Sequence, residues 1–476
     1  MSRTKGDSIV GKKPAVGAGE KGKRILCIGA GYVGGPTMAM IARKCADYTV
    51  TVVDVDAARI RAWQSDKLPI YEPGLDELVS VCRDRNLFFS EDVAGNIEQA
   101  DIIFVSVNTP TKKSGHGAGR APDLQYWEKT AREILSNAKT DKIVIEKSTL
   151  PVRTAGAMAR ILHSGESSVR FEVLSNPEFL AEGTAVSDLE LPDRVLIGGR
   201  ETDSGRHAVA ELVKIYRHWV PEERILTTSV WSSELSKLAA NAFLAQRVSS
   251  INSLSAVCEA TGADIQEVAK AIGMDTRIGG KFLNAGIGFG GSCFKKDILH
   301  LVYLCESCGL PEAADYWRQV TEINEYQQRR FVAGILSAMF NTVAGKRVAI
   351  LGFAFKPDTG DTRESPAIGI CKRLLEEGAD LVVSDPQALE NAERDLSEWE
   401  GKVIFEKDPY KAASGSHALV VLTGWKAYEG LDFARIYDSM VRPSFVFDGP
   451  GKLNHRELHE VGFNVYPIGK TPLTRS

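Results

Sequence analysis

The segment GIGFGGSCFKKD, Gly286 to Asp297, gathers residues whose types and spacing can do covalent chemistry. Glycines at 286, 288, 290 and 291 let backbone approach a ligand, and Ser292 is placed to cap a following helix. Cys293 then falls in the first turn of that helix. The positive end of a helix dipole stabilises thiolate, the reactive form of cysteine, so a thiol there is a candidate nucleophile. Asp297 follows at i+4, on the same face. A buried small residue after a glycine turn would use the same letters. Lys237 and Asn241 repeat the i, i+4 spacing in a long helical pattern. An ammonium and an amide on one face make a donor pair for a developing oxyanion, although a lone helix lysine is commonly solvated.

A second constellation opens the chain. The strand pattern RILCIG runs into Gly29, Gly31, Tyr32, Val33 and Gly34, a GxGxxG turn at the start of a helix. The glycines permit a tight turn and close backbone approach to a pyrophosphate, whose charge the helix N-terminus attracts. Asp54 ends the next strand, where a carboxylate accepts hydrogen bonds from an adenosine ribose and repels a 2′-phosphate. NAD is therefore expected as cofactor rather than NADP. Arg59 complicates that inference, since an arginine nearby stacks on adenine or pairs with phosphate. Farther on, GFAFKPDTGDTRES places Lys356 and Arg363 in a turn-rich stretch where basic side chains could reach a diphosphate; solvated loop charges are the alternative.

Positioning these groups requires a particular set of elements. From Lys23, short β-branched runs alternate with helical patterns: 24 to 29, 50 to 55, 101 to 107, 142 to 148, 171 to 175 and 194 to 199 read as strands of a parallel sheet. From about Ser232 to Thr261 no proline or glycine interrupts a helical pattern, and Ser229, Ser232 or Ser233 can cap it. Such a helix connects domains or packs on a partner chain. A second series begins at Lys346, with strands at 381 to 386, 402 to 406, 417 to 423 and 444 to 448, and has no GxGxxG after its first strand. The fold class expected is α/β, two Rossmann-like doubly wound parallel-sheet domains joined by a long central helix. The boundaries expected are a flexible tail over 1–22, an NAD-binding domain over 23–229, a central helical domain over 230–340 that could serve dimerisation, and a second Rossmann-like domain over 341–476 that binds something other than a dinucleotide. A cleft between the sheets is the place for substrate.

Bulk properties agree with such an enzyme and exclude other classes. A chain of 476 residues is too long for one core and predicts two or three domains. Hydrophobic content of 43%, charged content of 25% and a mean hydropathy of −0.13 are those of a globular protein. A net charge of −4 offers no basic field for nucleic acid, and no run of about 18 apolar residues marks a membrane span. Eight scattered cysteines read as reduced thiols. Cys305 and Cys308 form a CxxC without the further ligands of a zinc site, so no metal is expected. The first 22 residues lack the apolar stretch of a signal peptide, and the expected location is cytoplasmic.

With these residues assembled, the chain resembles the UDP-glucose/GDP-mannose dehydrogenase family from about Lys23 to about Lys470. The matching segments are IGAGYVGGPT, LPIYEPGL, SVNTPTK, EKSTLPVR, NPEFLAEGTAVSDLELPDRVLIGG, GFGGSCFKKD and GFAFKPDTGDTRES, and GHGAGRAPDL resembles its eukaryotic branch. The resemblance implies oxidation of UDP-glucose to UDP-glucuronate with two NAD reduced in turn. It makes Cys293 the nucleophile, through a thiohemiacetal and a thioester. Lys237 and Asn241 would stabilise oxyanions, Asp297 would act as base or position water, and Glu178 with Thr149 would assist thioester hydrolysis. Thr109, Ser148, Thr149, Glu182, Lys296 and Arg363 would join the glycine turn at the cofactor. Glu178, Phe179, Leu180, Lys237, Asn241, Phe282, Asn284, Gly290, Phe355 and Lys356 would line the substrate, with Arg363 also near its diphosphate. Arg277 would reach a neighbouring subunit's site in a homo-oligomer, a dimer or a hexamer. One departure is FDGPGK, where Pro450 stands in place of the family's arginine, so that contact is absent or supplied by Lys452.

Other readings share parts of this pattern. A relative acting on GDP-mannose or UDP-N-acetylmannosamine would use the same motifs. A two-electron hydroxy-acid dehydrogenase would need no thiol, and a non-catalytic scaffold would have no use for Cys293, Lys237, Asn241, Asp297 and Glu178 together.

Overall fold

The computed structural model describes residues 23–148, 152–165 and 168–475. The tail expected over 1–22, and Thr149, lie outside the described residues. β-branched and aromatic runs form two sheets. The first comprises β1 (Arg24–Ile28), β2 (Thr49–Val53), β3 (Leu87–Ser90), β4 (Ile102–Val105), β5 (Lys142–Glu146), β6 (Phe171–Ser175), β7 (Val195–Gly199) and β8 (Ile225–Ser229), in the spatial order 3-2-1-4-5-6-7-8. The second comprises β9 (Arg347–Leu351), β10 (Asp380–Ser384), β11 (Val403–Phe405), β12 (Ala418–Val421), β13 (Phe445–Asp448) and β14 (Asn464–Pro467), in the order 11-10-9-12-13-14. In each sheet the first strand lies between the second and the fourth, so strand order reverses beside it. Ligands of open α/β sheets bind at the carboxyl ends of the strands at such a reversal.

Three expectations change. The pairing of β6 with β7 is antiparallel, whereas the other ladders are parallel. The strands β3, β8 and β14 join those read from the sequence. The strand expected to end with Asp54 stops at Val53, because the Asp54 carboxylate turns back to accept from Ala30 N at 2.8 Å and Asp56 N at 2.9 Å.

Helices cover both faces of the sheets. Trp63 is fully buried and stacks on Phe89 with centroids 5.2 Å apart. Burial of each such ring stabilises the fold by roughly 1.5–3 kcal/mol. Between the sheets runs the central helix, Val230–Thr261, of 32 residues. Of the three candidate serines, Ser229 caps it, accepting from Ser232 N at 3.3 Å. Two further helices pack on it: the thiol helix, Phe294–Ser307, and the return helix, Pro311–Ala338. Among the described residues, no helix is long and apolar enough to cross a membrane.

Candidate active site

The glycine turn after β1 separates its three glycines by physical task. Gly29 has φ +111°, and a Cβ there would stand 2.3 Å from Ser106 O. A Cβ on Gly34 would stand 2.0 Å from Gly29 O, so this glycine lets the following helix, Gly34–Lys44, start hard against the strand. A Cβ on Gly31 would meet nothing within 4 Å. Its missing side chain therefore serves no internal packing and leaves an open approach at a helix N-terminus, which fits a pyrophosphate. Asp54 stands beside it, 8% exposed, with Arg59 Nη1 at 3.0 Å from Oδ2. Tyr32 donates to Glu72, whose carboxylate also accepts from Gly183 N at 2.9 Å and Ala185 N at 2.6 Å. Ser148 donates to Val107 O at 2.8 Å, and Thr109 is buried.

The thiol stands at the start of its helix, one position earlier than expected. Cys293 itself occupies the N-cap, and the Ser292 hydroxyl lies 3.5 Å from its sulfur instead of capping. The Cys293 side chain is exposed. One turn on, Asp297 is fully buried, accepting from Asn241 Nδ2 at 2.6 Å and Lys296 Nζ at 2.6 Å. Lys296, assigned above to the cofactor, is thus anchored in the thiol cluster. Lys237 lies one turn before Asn241, 7% exposed, with Nζ 5.1 Å from the centre of the Phe179 ring. Burial holds the Lys237 ammonium below its usual range, against the pull of Cys293, Asp297 and Glu178. These carboxylates and the thiol therefore lie within electrostatic reach of one ammonium.

The NPEF turn after β6 carries Glu178. Its Oε1 accepts from Phe179 N at 2.7 Å and Leu180 N at 3.0 Å, and its Oε2 lies 2.8 Å from Lys147 Nζ. Burial acts to raise its pKa, but Lys147 and the backbone donors prevail and hold it below the usual carboxylate range. Farther along the same loop, Glu182 reaches the second sheet's domain. Its Oε1 accepts from Arg363 Nη2 at 3.2 Å, and Arg363 Nε donates to Asp361 Oδ2 at 2.9 Å. Gly291 N donates to Arg363 O at 2.9 Å, which ties the thiol's loop to the same segment.

The remaining nominated residues are less concentrated. A Cβ on Gly290 would stand 2.6 Å from Glu364 O and 2.8 Å from Phe355 Cβ, so Gly290 and Phe355 are packed together. Lys356 Nζ lies 5.5 Å from the Phe355 ring centre. Phe282 is 40% exposed with φ +61°, and Asn284 is exposed on the same loop. Arg277 pairs with Asp275 and projects with its side chain 87% exposed. Asn252, Asn324 and Gln327 hold the loop's backbone at Gly286 and Phe289. Lys452 is exposed and Pro450 half-buried. Among the described residues no cluster of three His, Cys, Asp or Glu could hold a metal ion.

Two groups were missed in the sequence. Lys147, of EKST, is buried against Glu178; its signal is a lysine closing an apolar strand. Glu72, of LPIYEPGL, joins the glycine turn to the Glu182 loop, and only the fold brings those segments together.

The model of the UDP-glucose/GDP-mannose dehydrogenase family, NAD binding domain, matches residues 23–220, that of its central domain residues 231–326, and that of its UDP binding domain residues 349–455. UDP-glucose 6-dehydrogenase 1 of Oryza sativa subsp. japonica is 60% identical over 94% of this chain and 97% of its own. UDP-glucose 6-dehydrogenase 2 of Arabidopsis thaliana is 57% identical over the same shares. The solved structure of a UDP-glucose dehydrogenase from Pyrobaculum islandicum superposes with a TM-score of 0.82 at 31% identity, covering 95% of this chain and 100% of that one.

Proposed function

The chain belongs to the UDP-glucose/GDP-mannose dehydrogenase family and is an NAD-dependent oxidoreductase, and on that premise we propose that it oxidises UDP-glucose to UDP-glucuronate through Cys293. The observation that carries the thiol route is an exposed sulfur at a helix N-cap, one turn from a buried Asp297 clamped by Asn241 and Lys296. A two-electron alcohol dehydrogenase needs no such group. NAD, when bound, supplies the hydride acceptor for both oxidations.

In this reading Gly29, Gly31, Tyr32, Val33, Gly34, Asp54, Arg59, Thr109, Ser148, Thr149, Glu182, Lys296 and Arg363 serve the cofactor. The sulfur of Cys293 adds to the aldehyde carbon, and Lys237 and Asn241 donate to the oxyanion that develops there. Asp297 takes up a proton or orients water, and Glu178 with Thr149 assists hydrolysis of the thioester. Phe179, Leu180, Arg277, Phe282, Asn284, Gly290, Phe355 and Lys356 hold the sugar nucleotide. The domain limits 23–229, 230–340 and 341–476 belong to the same reading.

The assembly is a homo-oligomer built on the central helix, in the cytoplasm. An exposed apolar row, Trp231, Leu235, Phe243, Leu254 and Val257, supports the first part, because such a row on one helix is an interaction face. The free state of the eight cysteines supports the second.

The test is NADH formed per UDP-glucose consumed, with wild type beside Cys293→Ala. About two per sugar, lost in the variant while NAD still binds, is the expected result. One per sugar, unchanged in the variant, refutes the covalent route, and a panel of nucleotide sugars checks the substrate.

A further inference from the structure

Lys147 is an ammonium almost removed from water, its side chain 4% exposed, in a scheme that gives it no task. It follows β5, at the carboxyl edge of the first sheet. Three acceptors from two other segments surround it: Glu178 Oε2 at 2.8 Å and Asn176 Oδ1 at 3.2 Å, both on the NPEF turn, and Tyr216 Oη at 3.2 Å, at the end of the helix Asp203–Tyr216. The second and third are themselves fixed. Tyr216 donates to Asn176 Oδ1 at 2.6 Å, and Asn176 Nδ2 donates to Leu196 O at 2.8 Å, so the network is anchored on β7. An isolated buried charge is strongly unfavourable, and this one is stable because its hydrogens are all used and one partner is an anion. The two ends of the Lys147–Glu178 pair lie just beyond β5 and on the NPEF turn. A cavity of about 20 Å³, lined by both residues with Thr37, Arg194 and Tyr216, has room for roughly one water.

We propose that Lys147 is a positioning residue for the hydrolytic half of the reaction: it grips Glu178 across the sheet edge and fixes that carboxylate relative to the end of β5. The inference rests on the reading of Glu178 given above. In the step concerned, water adds to the thioester carbonyl and the carbon–sulfur bond breaks. The water oxygen leaves in the carboxylate, one water proton returns to the Cys293 sulfur and the other is released to solvent. A carboxylate that assists this step must be ionised and must stand still. Lys147 provides both conditions, with Lys237 as the next cation and Asp188 and Arg194 as the other charged groups lining the cavity.

The experiment is Lys147→Met in the full-length enzyme, with NADH release followed through the first turnover and in steady state, and with intact-protein mass measured after acid quench. The expected result is a retained burst, an adduct on Cys293, and a steady-state rate down about 100-fold. The acid limb of the kcat profile should also move to higher pH, since a buried Glu178 without its cation holds its proton. Turnover within twofold of wild type, or loss of the burst with an unmoved acid limb, overturns the inference. If Lys147→Met does not fold, Tyr216→Phe carries the test: a fall of about fivefold with adduct accumulation supports it, and wild-type turnover without adduct overturns it. Glu178→Gln separates the two levels of argument. Adduct in Glu178→Gln but not in Lys147→Met removes the role of Lys147 alone, and adduct in neither removes the hydrolytic role of Glu178 beneath it.

Discussion

Lys237 is a buried ammonium without a hydrogen-bond or ion-pair partner among the described residues, and its charge acts through space on Cys293, Asp297 and Glu178. A donor held in that way is available to an oxyanion that exists only during turnover. Lys237→Met should lower kcat by about 10²–10³ with a smaller change in KM, measured in steady state. The sign of its pH dependence follows from its environment. Burial lowers its pKa, so the charged donor is lost as pH rises through a value below the ordinary lysine range, and an alkaline limb is expected there. Lys237→Met should lack that limb. Spacing alone placed Lys237 and Asn241 on one face, but the bond from Asn241 to Asp297 joins two helices far apart in sequence and needed the packing of the thiol helix.

At the scale of elements, the glycine turn makes a contrast that can be measured. Gly31→Ala adds a methyl where the protein has nothing within 4 Å, so thermal stability should hold while the KM for NAD rises at least about tenfold, because the methyl intrudes where a pyrophosphate approaches. Gly34→Ala drives a methyl to 2.0 Å from Gly29 O and should lower the melting temperature as well. Equal effects of the two variants would refute this division of labour. The turn was legible because its glycines, the strand before it and Asp54 repeat a spacing set by backbone geometry. Strand ends were less so: the run KIVIEKS reads as strand to Ser148, yet β5 ends at Glu146, and the two residues beyond it turn toward the site. Lys147 was hidden for that reason, since its side chain is explained by Glu178 and Tyr216, which other elements deliver. The helix cap misled in the opposite way. Ser292 has the better side chain for the task, but the chain enters the helix at Cys293 and leaves the hydroxyl beside the sulfur.

On the scale of the whole molecule, the thiol's loop, the NPEFLAEG loop of the first sheet and the FKPDTGDTRES segment of the second meet at one place. Glu182 of the first domain faces Asp361 and Arg363 of the other, and one of its oxygens, Oε2, is buried without a hydrogen bond. Burial first, and then the Asp361 carboxylate, push the Glu182 pKa from 4.5 up to about 7, with Arg363 opposing. A carboxyl group raised in the folded state binds a proton there that the unfolded chain has already released. Stability therefore falls as pH rises from about 4.5 to about 7 and is flat beyond, as far as this group decides it. Glu182→Gln keeps the shape and removes the titration. Melting temperatures taken without added nucleotide at about pH 5 and about pH 8 should show the variant gaining on wild type at the higher pH. A difference that stays constant across that window would mean that the contact between the sheets is already ionised throughout, and that Arg363 rather than the carboxyl proton holds the domains together.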